Sequence, residues 1–260
     1  MAGKDEYYNK AKQQGYRARS AYKLQQLDET TNLLGDGDTV VDLGAAPGGW
    51  MQVAAERVGP TGTVIGVDRQ NIKDLDDPEA TVEYIRGDIT EEWTWDEIRE
   101  TVGDGERPVD VVISDMAPNM SGEYDLDHAR SVHLARQAFE LAEELLTSGG
   151  DLAVKVFDGR DLADLQEEIE GEFEYVRQVR PDASRESSSE LYLVAKNRLT
   201  APVRTGDELD VEIVDTGEEG DGIAQVEGFT LFVADASEGE EGRVTVDDVK
   251  PNFGFAERTE

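Results

Sequence analysis

Residues 40–50 read VVDLGAAPGGW, an apolar run with an acidic residue near its end that passes directly into a glycine-rich turn. Val40, Val41 and Leu43 suit a buried parallel strand, and Gly44, Gly48 and Gly49 let backbone approach a ligand that side chains would exclude. A helix opening at this turn points its first amides at the same ligand. The dinucleotide fingerprint GxGxxG fails here, because Ala46 stands at its second glycine and Pro47 stiffens the turn. S-adenosylmethionine, a nucleoside cofactor without phosphate, fits better. On this motif alone, a tight strand-to-helix connection with no ligand stays open.

Outward from that strand the chain has an α/β rhythm. Apolar strand candidates near 39–43, 63–67, 81–86, 109–114, 151–157, 173–179 and 190–195 alternate mostly with helix candidates at 19–30, 49–58, 93–102, 124–147 and 160–171. The helices are expected on both faces of one sheet, with ligands at the carboxyl ends of the strands. There Asp68, Asp88, Asp115 and Lys155 can converge. From about residue 200 the texture changes to short strands punctuated by glycine: LDVEIVD, GIAQVEG, FTLFVAD and GRVTVDDV. This predicts a small β-barrel after a linker at 199–202.

The chain holds 59 acidic and 25 basic residues, a net charge of −34. Only 8 of the basic residues are lysine, and an acidic, lysine-poor surface resembles that of proteins from salt-loving organisms, where self-repulsion is screened. Against this background the first 23 residues carry Lys4, Lys10, Lys12, Arg17, Arg19 and Lys23 against Asp5 and Glu6, a local net of +4. With Tyr7, Tyr8, Tyr16 and Tyr22 this segment is a candidate RNA-facing surface. Zero cysteines exclude disulfides, thiolate nucleophiles and thiolate metal sites. The absence of a signal-like or membrane-length apolar run leads us to expect a cytoplasmic protein. His128 and His133, five apart on a predicted helix, make a poor metal pair and read as structural.

Asp68 closes GTVIGVD 24 residues beyond Gly44, where a carboxylate can accept from both hydroxyls of a cofactor ribose, as it also would in an NAD enzyme. Asp88 closes the next strand and could meet an adenine amino group; either aspartate could instead cap a helix. Asp115 opens DMAPN after VVIS, where a reacting methyl would be presented, although Asp, Pro and Asn also make ordinary turns. Lys155 interrupts LAVKVF, where an unpaired ammonium costs several kcal/mol to bury. Held near Asp115 it could orient a ribose 2′-hydroxyl and, once neutral, take its proton; a lysine snorkelling to solvent is the alternative. Glu190 in SSSELYLVA and Lys23 in SAYKL could join them, and two lysines near two carboxylates titrate as a group.

Assembled in order, GYRARSAYKL, VVDLGAAPGGW, SDMAPNMSG, VKVF and SSELYLVA closely resemble the FtsJ-type ribosomal RNA 2′-O-methyltransferases over roughly residues 7–197. The resemblance implies a Rossmann-like methyltransferase sheet whose final strand is antiparallel. It implies a catalytic tetrad of Lys23, Asp115, Lys155 and Glu190 with Lys155 as proton acceptor. S-adenosylmethionine contacts would fall on Gly48, Trp50, Asp68, Asp88 and Asp115. The implied substrate is a uridine ribose in the A-loop of the peptidyl-transferase centre of large-subunit (23S) rRNA, within the ribosomal subunit; relatives act on tRNA or mRNA caps. Residues 203–256 are similar to a TRAM domain, an OB-like RNA-binding barrel, although residues 200–260 hold 4 basic and 17 acidic residues. We therefore expect a methyltransferase domain at 1–198 and a TRAM domain at 199–260, a monomeric chain, an rRNA partner, and no metal or membrane. An NAD-linked oxidoreductase, a tRNA methyltransferase and a non-catalytic ribosome-assembly factor are the competing readings.

Overall fold

The computed structural model describes residues 6–103, 105, 107–185, 188–217 and 220–259. Seven strands form one sheet: β1 (Thr39–Leu43), β2 (Thr63–Asp68), β3 (Thr81–Arg86), β4 (Val109–Ser114), β5 (Leu146–Phe157), β6 (Phe173–Val179) and β7 (Glu190–Arg198). Their order is β3-β2-β1-β4-β5-β7-β6. The first five are parallel, and β7 runs antiparallel to both β5 and β6. The order reverses between β1 and β4, so a crevice opens beyond their carboxyl ends, where Gly44 and Asp115 lie.

The period-two alternation of each strand divides its apolar residues between two cores. Val41 and Leu43 face one layer with Ile98 of α4 (Glu92–Val102), Leu141 of α5 (Tyr124–Leu145) and Leu165 of α6 (Leu162–Glu170). Val40, Val111 and Ala153 face the other with Leu24 and Leu27 of α2 (Ala21–Thr31) and Met51 and Val58 of α3 (Gly49–Val58). Continuous apolar runs in these strands are the signature of burial on both faces.

Two boundaries differ from the sequence expectation. The helix expected over 124–147 stops at Leu145, and the strand expected from 151 already starts at Leu146. Val109 pairs with Leu146 and Val111 with Asp151, so TSGG at 147–150 is absorbed as a bulge inside the strand. The basic amino-terminal segment contains a helix of its own, α1 (Glu6–Gln14); Lys4 and Asp5 lie outside the described residues.

The carboxyl-terminal strands β8 (Glu208–Thr216), β9 (Gly222–Val226), β10 (Phe229–Val233), β11 (Glu241–Val249) and β12 (Phe253–Arg258) close into a barrel in the order β10-β12-β11-β8-β9. The fifth strand, FGFAER, escapes the sequence reading because Gly254 weakens it. That glycine is needed there: a Cβ would meet Leu231 Cδ2 at 2.9 Å and the Asp248 carbonyl at 3.0 Å. The barrel docks at the amino end of β5 and β6, away from the crevice. Lys250 Nζ lies 2.7 Å from Glu174 Oε1, and Ser148 Oγ donates to the Pro251 carbonyl at 2.6 Å. Among the described residues no helix is long and apolar enough to cross a membrane.

Candidate active site

The glycine-rich turn leaves β1 in a conformation few residues adopt, with Gly44 at φ +79° and Gly48 at φ +102°. Gly44 is also needed for space, since a Cβ there would sit 2.7 Å from Met116 Cγ in the DMAPN loop. The turns after β1 and β4 are thus in direct contact. Together with those after β2 and β3 they enclose a cleft of about 1050 Å³, whose walls include Asp68, Asp88, Asp115, Asn119 and His133.

Asp68 accepts the Ala46 amide at 3.0 Å and the Gln70 amide at 2.7 Å, and so braces the turn while lining the cleft. Asp88 accepts the Thr90 amide at 3.1 Å and its hydroxyl at 2.8 Å, and pairs with Arg69 at 3.2 Å. Burial pushes the Asp88 carboxyl up, but the two Thr90 bonds and Arg69 prevail and hold it below its ordinary value. Gly48 and Trp50 do not line the cleft. A Cβ on Gly48 would meet Arg17 Nη1 at 2.9 Å. Trp50 is buried beneath α2, where Nε1 donates to the Ser20 carbonyl at 2.8 Å and the ring packs on Tyr192 with centroids 5.7 Å apart.

Asp115 joins the cleft to a second group of side chains. Lys155 Nζ donates to Asp115 Oδ1 at 2.9 Å and also to its main-chain carbonyl. Lys23 Nζ lies 3.9 Å from Asp115 Oδ1 and 2.6 Å from Glu190 Oε1. The four residues singled out as a tetrad, from α2, β5, β7 and the loop after β4, therefore meet in one cluster. Lys23 and Lys155 are buried, as an ammonium can be only when paired. Burial pushes the Asp115 carboxyl up, yet Lys155 and Lys23, with the hydrogen bonds from Tyr192 and Lys155, hold it below the ordinary range. Glu190 behaves alike: burial raises it, and Lys23 and Lys155 bring it down.

Tyr192 is the member the sequence reading missed. Its hydroxyl donates to Asp115 Oδ1 at 2.6 Å, and burial with the neighbouring Asp115 and Glu190 keeps the phenol neutral. Its position two residues after Glu190 on the same strand face was the available signal. Two arginines of the basic segment are engaged inward. Arg17 donates to the carbonyls of Pro47, Lys73 and Asp74, and Arg19 to that of Ala183 at 2.6 Å. Lys10 lies 4.7 Å above the Tyr22 ring, so the expected RNA face is narrower than six cations. His128 is structural, with Nδ1 2.9 Å from the Phe157 carbonyl and Nε2 accepting the Asp161 amide at 3.0 Å. His133, also expected to be structural, instead lines the cleft.

This placement of a glycine-rich turn, an acidic cleft and an Asp–Lys–Lys–Glu cluster coincides with a family match. Residues 16–198 match the model of the FtsJ-like methyltransferases. The chain belongs to the FtsJ-like methyltransferase family. A TRAM domain follows at residues 202–258. The FtsJ-like relatives include proteins named ribosomal RNA large subunit methyltransferase E. That of Haloarcula marismortui is 70% identical over 100% of both chains. That of Halorubrum lacusprofundi is 66% identical over 100% of this chain and 95% of its own. Outside the halophiles, that of Methanothrix thermoacetophila is 48% identical over 97% and 96% of the two chains. The crystal structure of a Plasmodium falciparum protein described as a ribosomal RNA methyltransferase superposes with a TM-score of 0.59 at 28% identity, over 70% of this chain and 98% of that one. The halophilic sources fit the net charge of −34.

One buried acid stands apart from the cluster. Asp42 on β1 is fully buried, and among the described residues neither of its carboxyl oxygens has a hydrogen-bond partner. Burial, reinforced by Asp115 and Asp68, pushes its carboxyl well above the ordinary value. The folded state therefore holds a proton that the unfolded chain releases near pH 4. The stability this group contributes is complete below that pH and is lost as pH rises toward the raised folded value. Asp42→Asn removes this loss, so its melting temperature should rise relative to the parent as pH increases from 4 to 8 at constant KCl. A gap that stays constant across the series would show that Asp42 does not titrate in this way.

Proposed function

We propose that the protein methylates the ribose 2′-hydroxyl of a uridine in the A-loop of large-subunit rRNA, using S-adenosylmethionine. The observation that carries this reading is the Lys155–Asp115 pair at the boundary of the cleft, with Lys23, Glu190 and Tyr192 behind it. The substrate class comes from relatives named for the large ribosomal subunit.

The cleft suits the cofactor by charge as well as size. Asp68, Asp88 and Asp115 line it, while its arginines are engaged: Arg69 with Asp88, and Arg130 with the Asn119 carbonyl at 3.4 Å. Such walls favour a sulfonium with an α-ammonium and oppose the pyrophosphate of a dinucleotide. Asp68 and Asp88 would hold the nucleoside and Asp115 the end nearest the reaction; Gly48 and Trp50 would act by shaping the turn. When bound, the cofactor supplies an electrophilic methyl group.

The remaining work belongs to this chain. Once its ammonium has released a proton to solvent, Lys155 accepts the 2′-hydroxyl proton as the oxygen becomes the nucleophile. Asp115 fixes the direction of the Lys155 amine, and Tyr192 and Lys23 fix Asp115. Glu190 holds Lys23 in place, so the base is positioned by charge-assisted bonds. The barrel adds an exposed aromatic face. Phe232, Phe253 and Phe255 lie with centroids 5.5 to 5.9 Å apart, whereas Arg243 is paired with Glu208 at 3.3 Å. Stacking suits an acidic barrel better than phosphate binding does, because it survives high salt.

The test is transfer of labelled methyl at high KCl to large subunits and to tRNA from cells lacking this protein, followed by nucleotide mapping. Label on a 2′-O-methyluridine of the A-loop is the expected outcome. Label confined to tRNA would replace the substrate, and no label on either would leave a ribosome-assembly role.

A further inference from the structure

The cofactor cleft ends at Asp115; Lys155, Lys23 and Glu190 are not among its walls. The rim formed by the carboxyl end of β5, the start of β7 and the end of β6 borders the strand ends that carry Lys155 and Glu190. One cluster on this rim has no part in the mechanism above. Tyr124, at the first turn of α5, is 58% exposed, yet its hydroxyl donates to the main-chain carbonyl of Asp158, the residue that follows β5. The Asp158 carboxylate accepts Arg180 Nη2 at 2.7 Å, and its amide donates to the Ser189 carbonyl at 2.8 Å. Arg180 Nη1 closes the circuit on the Glu190 carbonyl at 3.3 Å. The ring and the guanidinium are thus tied to the two strand ends that carry Lys155 and Glu190.

We propose that Tyr124 and Arg180 form the subsite for the acceptor nucleotide: the target base stacks on the Tyr124 ring and Arg180 contacts the adjoining phosphate. The inference rests on the methyl-transfer reading and adds the residues that receive the RNA. An exposed tyrosine held by its own hydroxyl loses little further freedom when a base stacks on it, which is what preorganisation requires. The guanidinium has five N–H groups, of which Asp158 and Glu190 take one each, so donors remain for an anion. Salt supplies the reason for an aromatic platform. In a chain of net charge −34 working at high KCl, phosphate contacts are heavily attenuated, whereas base–aromatic stacking is not.

Two measurements test it on the full chain: anisotropy of a labelled oligouridylate bound in the presence of sinefungin, and KM for unmethylated large subunits. Tyr124→Ala should weaken oligouridylate binding and raise KM by on the order of tenfold. The kcat, the calorimetric affinity for S-adenosylmethionine and the melting temperature should stay near the parent values. Tyr124→Phe, which keeps the ring and loses the anchor, should lie within about threefold of the parent. Arg180→Gln should raise KM and flatten its dependence on KCl. Oligouridylate binding that is undetectable or unchanged by Tyr124→Ala overturns the proposal, as does an equal loss in Tyr124→Phe, which would reduce the ring to a structural tether. The parent reading fails separately: subunits that take up no label while Tyr124→Ala still weakens oligouridylate binding would displace the rRNA substrate and keep the subsite.

Discussion

Lys155→Ala is expected to lower turnover on the order of 10²–10⁴-fold while leaving S-adenosylmethionine affinity close to that of the parent. The two halves of this expectation come from different places in the structure. Lys155 approaches Asp115 at 2.9 Å and is not one of the cleft walls, so its loss removes no side chain that lines the cleft. What is lost, on the proposed reading, is the group that would receive the 2′-hydroxyl proton. Lys155→Arg separates proton transfer from charge. A guanidinium can retain an ion pair with Asp115 but cannot be deprotonated in a protein, so turnover should fall nearly as far as in the alanine variant. Single-turnover transfer with saturating cofactor, alongside calorimetric titration, checks both. An arginine variant with appreciable activity would make Lys155 an electrostatic clamp, and lost cofactor binding in the alanine variant would make it a structural residue.

The sheet was legible in the sequence because its strands are buried on both faces and read as unbroken apolar runs such as VDVVIS and LAVKVF. The charged residues of the cluster were legible for a related reason. A lysine amid LAVKVF or an aspartate ending VVIS conflicts with its surroundings unless it has a purpose there. Tyr192 produces no such conflict, since a tyrosine in a strand looks like core, and only its hydroxyl bond to Asp115 reveals it. Arg17 misled in the opposite direction: within a run of cations it reads as a phosphate contact, but its guanidinium caps carbonyls of the glycine-rich turn and of residues 73 and 74. Composition counts charges and cannot say which way they face. The bulge at 147–150 and the glycine-weakened strand β12 were hidden because both depend on partners distant in the chain, Val109 for one and Leu231 for the other.

Asp115→Ala should be the most destabilising single change in the cluster, by about 3 kcal/mol, at the lower end of the range for breaking a buried pair. Asp115 accepts Lys155 at 2.9 Å and Tyr192 at 2.6 Å and lies 3.9 Å from Lys23. Without it, Lys23 keeps Glu190 at 2.6 Å, but Lys155 keeps only a carbonyl in hydrogen-bond contact, with Glu190 as a more distant counter-charge. At this chain length the loss corresponds to roughly 6–12 °C in melting temperature. Lys155→Met should cost less, because Asp115 then still faces Lys23 and Tyr192. The double variant should lose less than the sum by on the order of 1–3 kcal/mol, the signature of a direct pair. The pH dependence has a definite sign. The Asp115 carboxyl is held below its ordinary value, so its contribution is complete above about pH 4 and is lost as pH falls through the lowered folded value. Asp115→Asn should lack that acid limb. Burial also shields the cluster from ions, so the loss should persist at high KCl. The Arg136–Glu168 pair, equally short at 2.7 Å but with both side chains more than a third exposed, is the control: Glu168→Gln should change stability by no more than about 0.5 kcal/mol. If Asp115→Ala and Glu168→Gln melt within a degree of each other, the buried cluster does not hold the sheet's carboxyl edge together, and its cost in stability would have to be sought in the apolar layers alone.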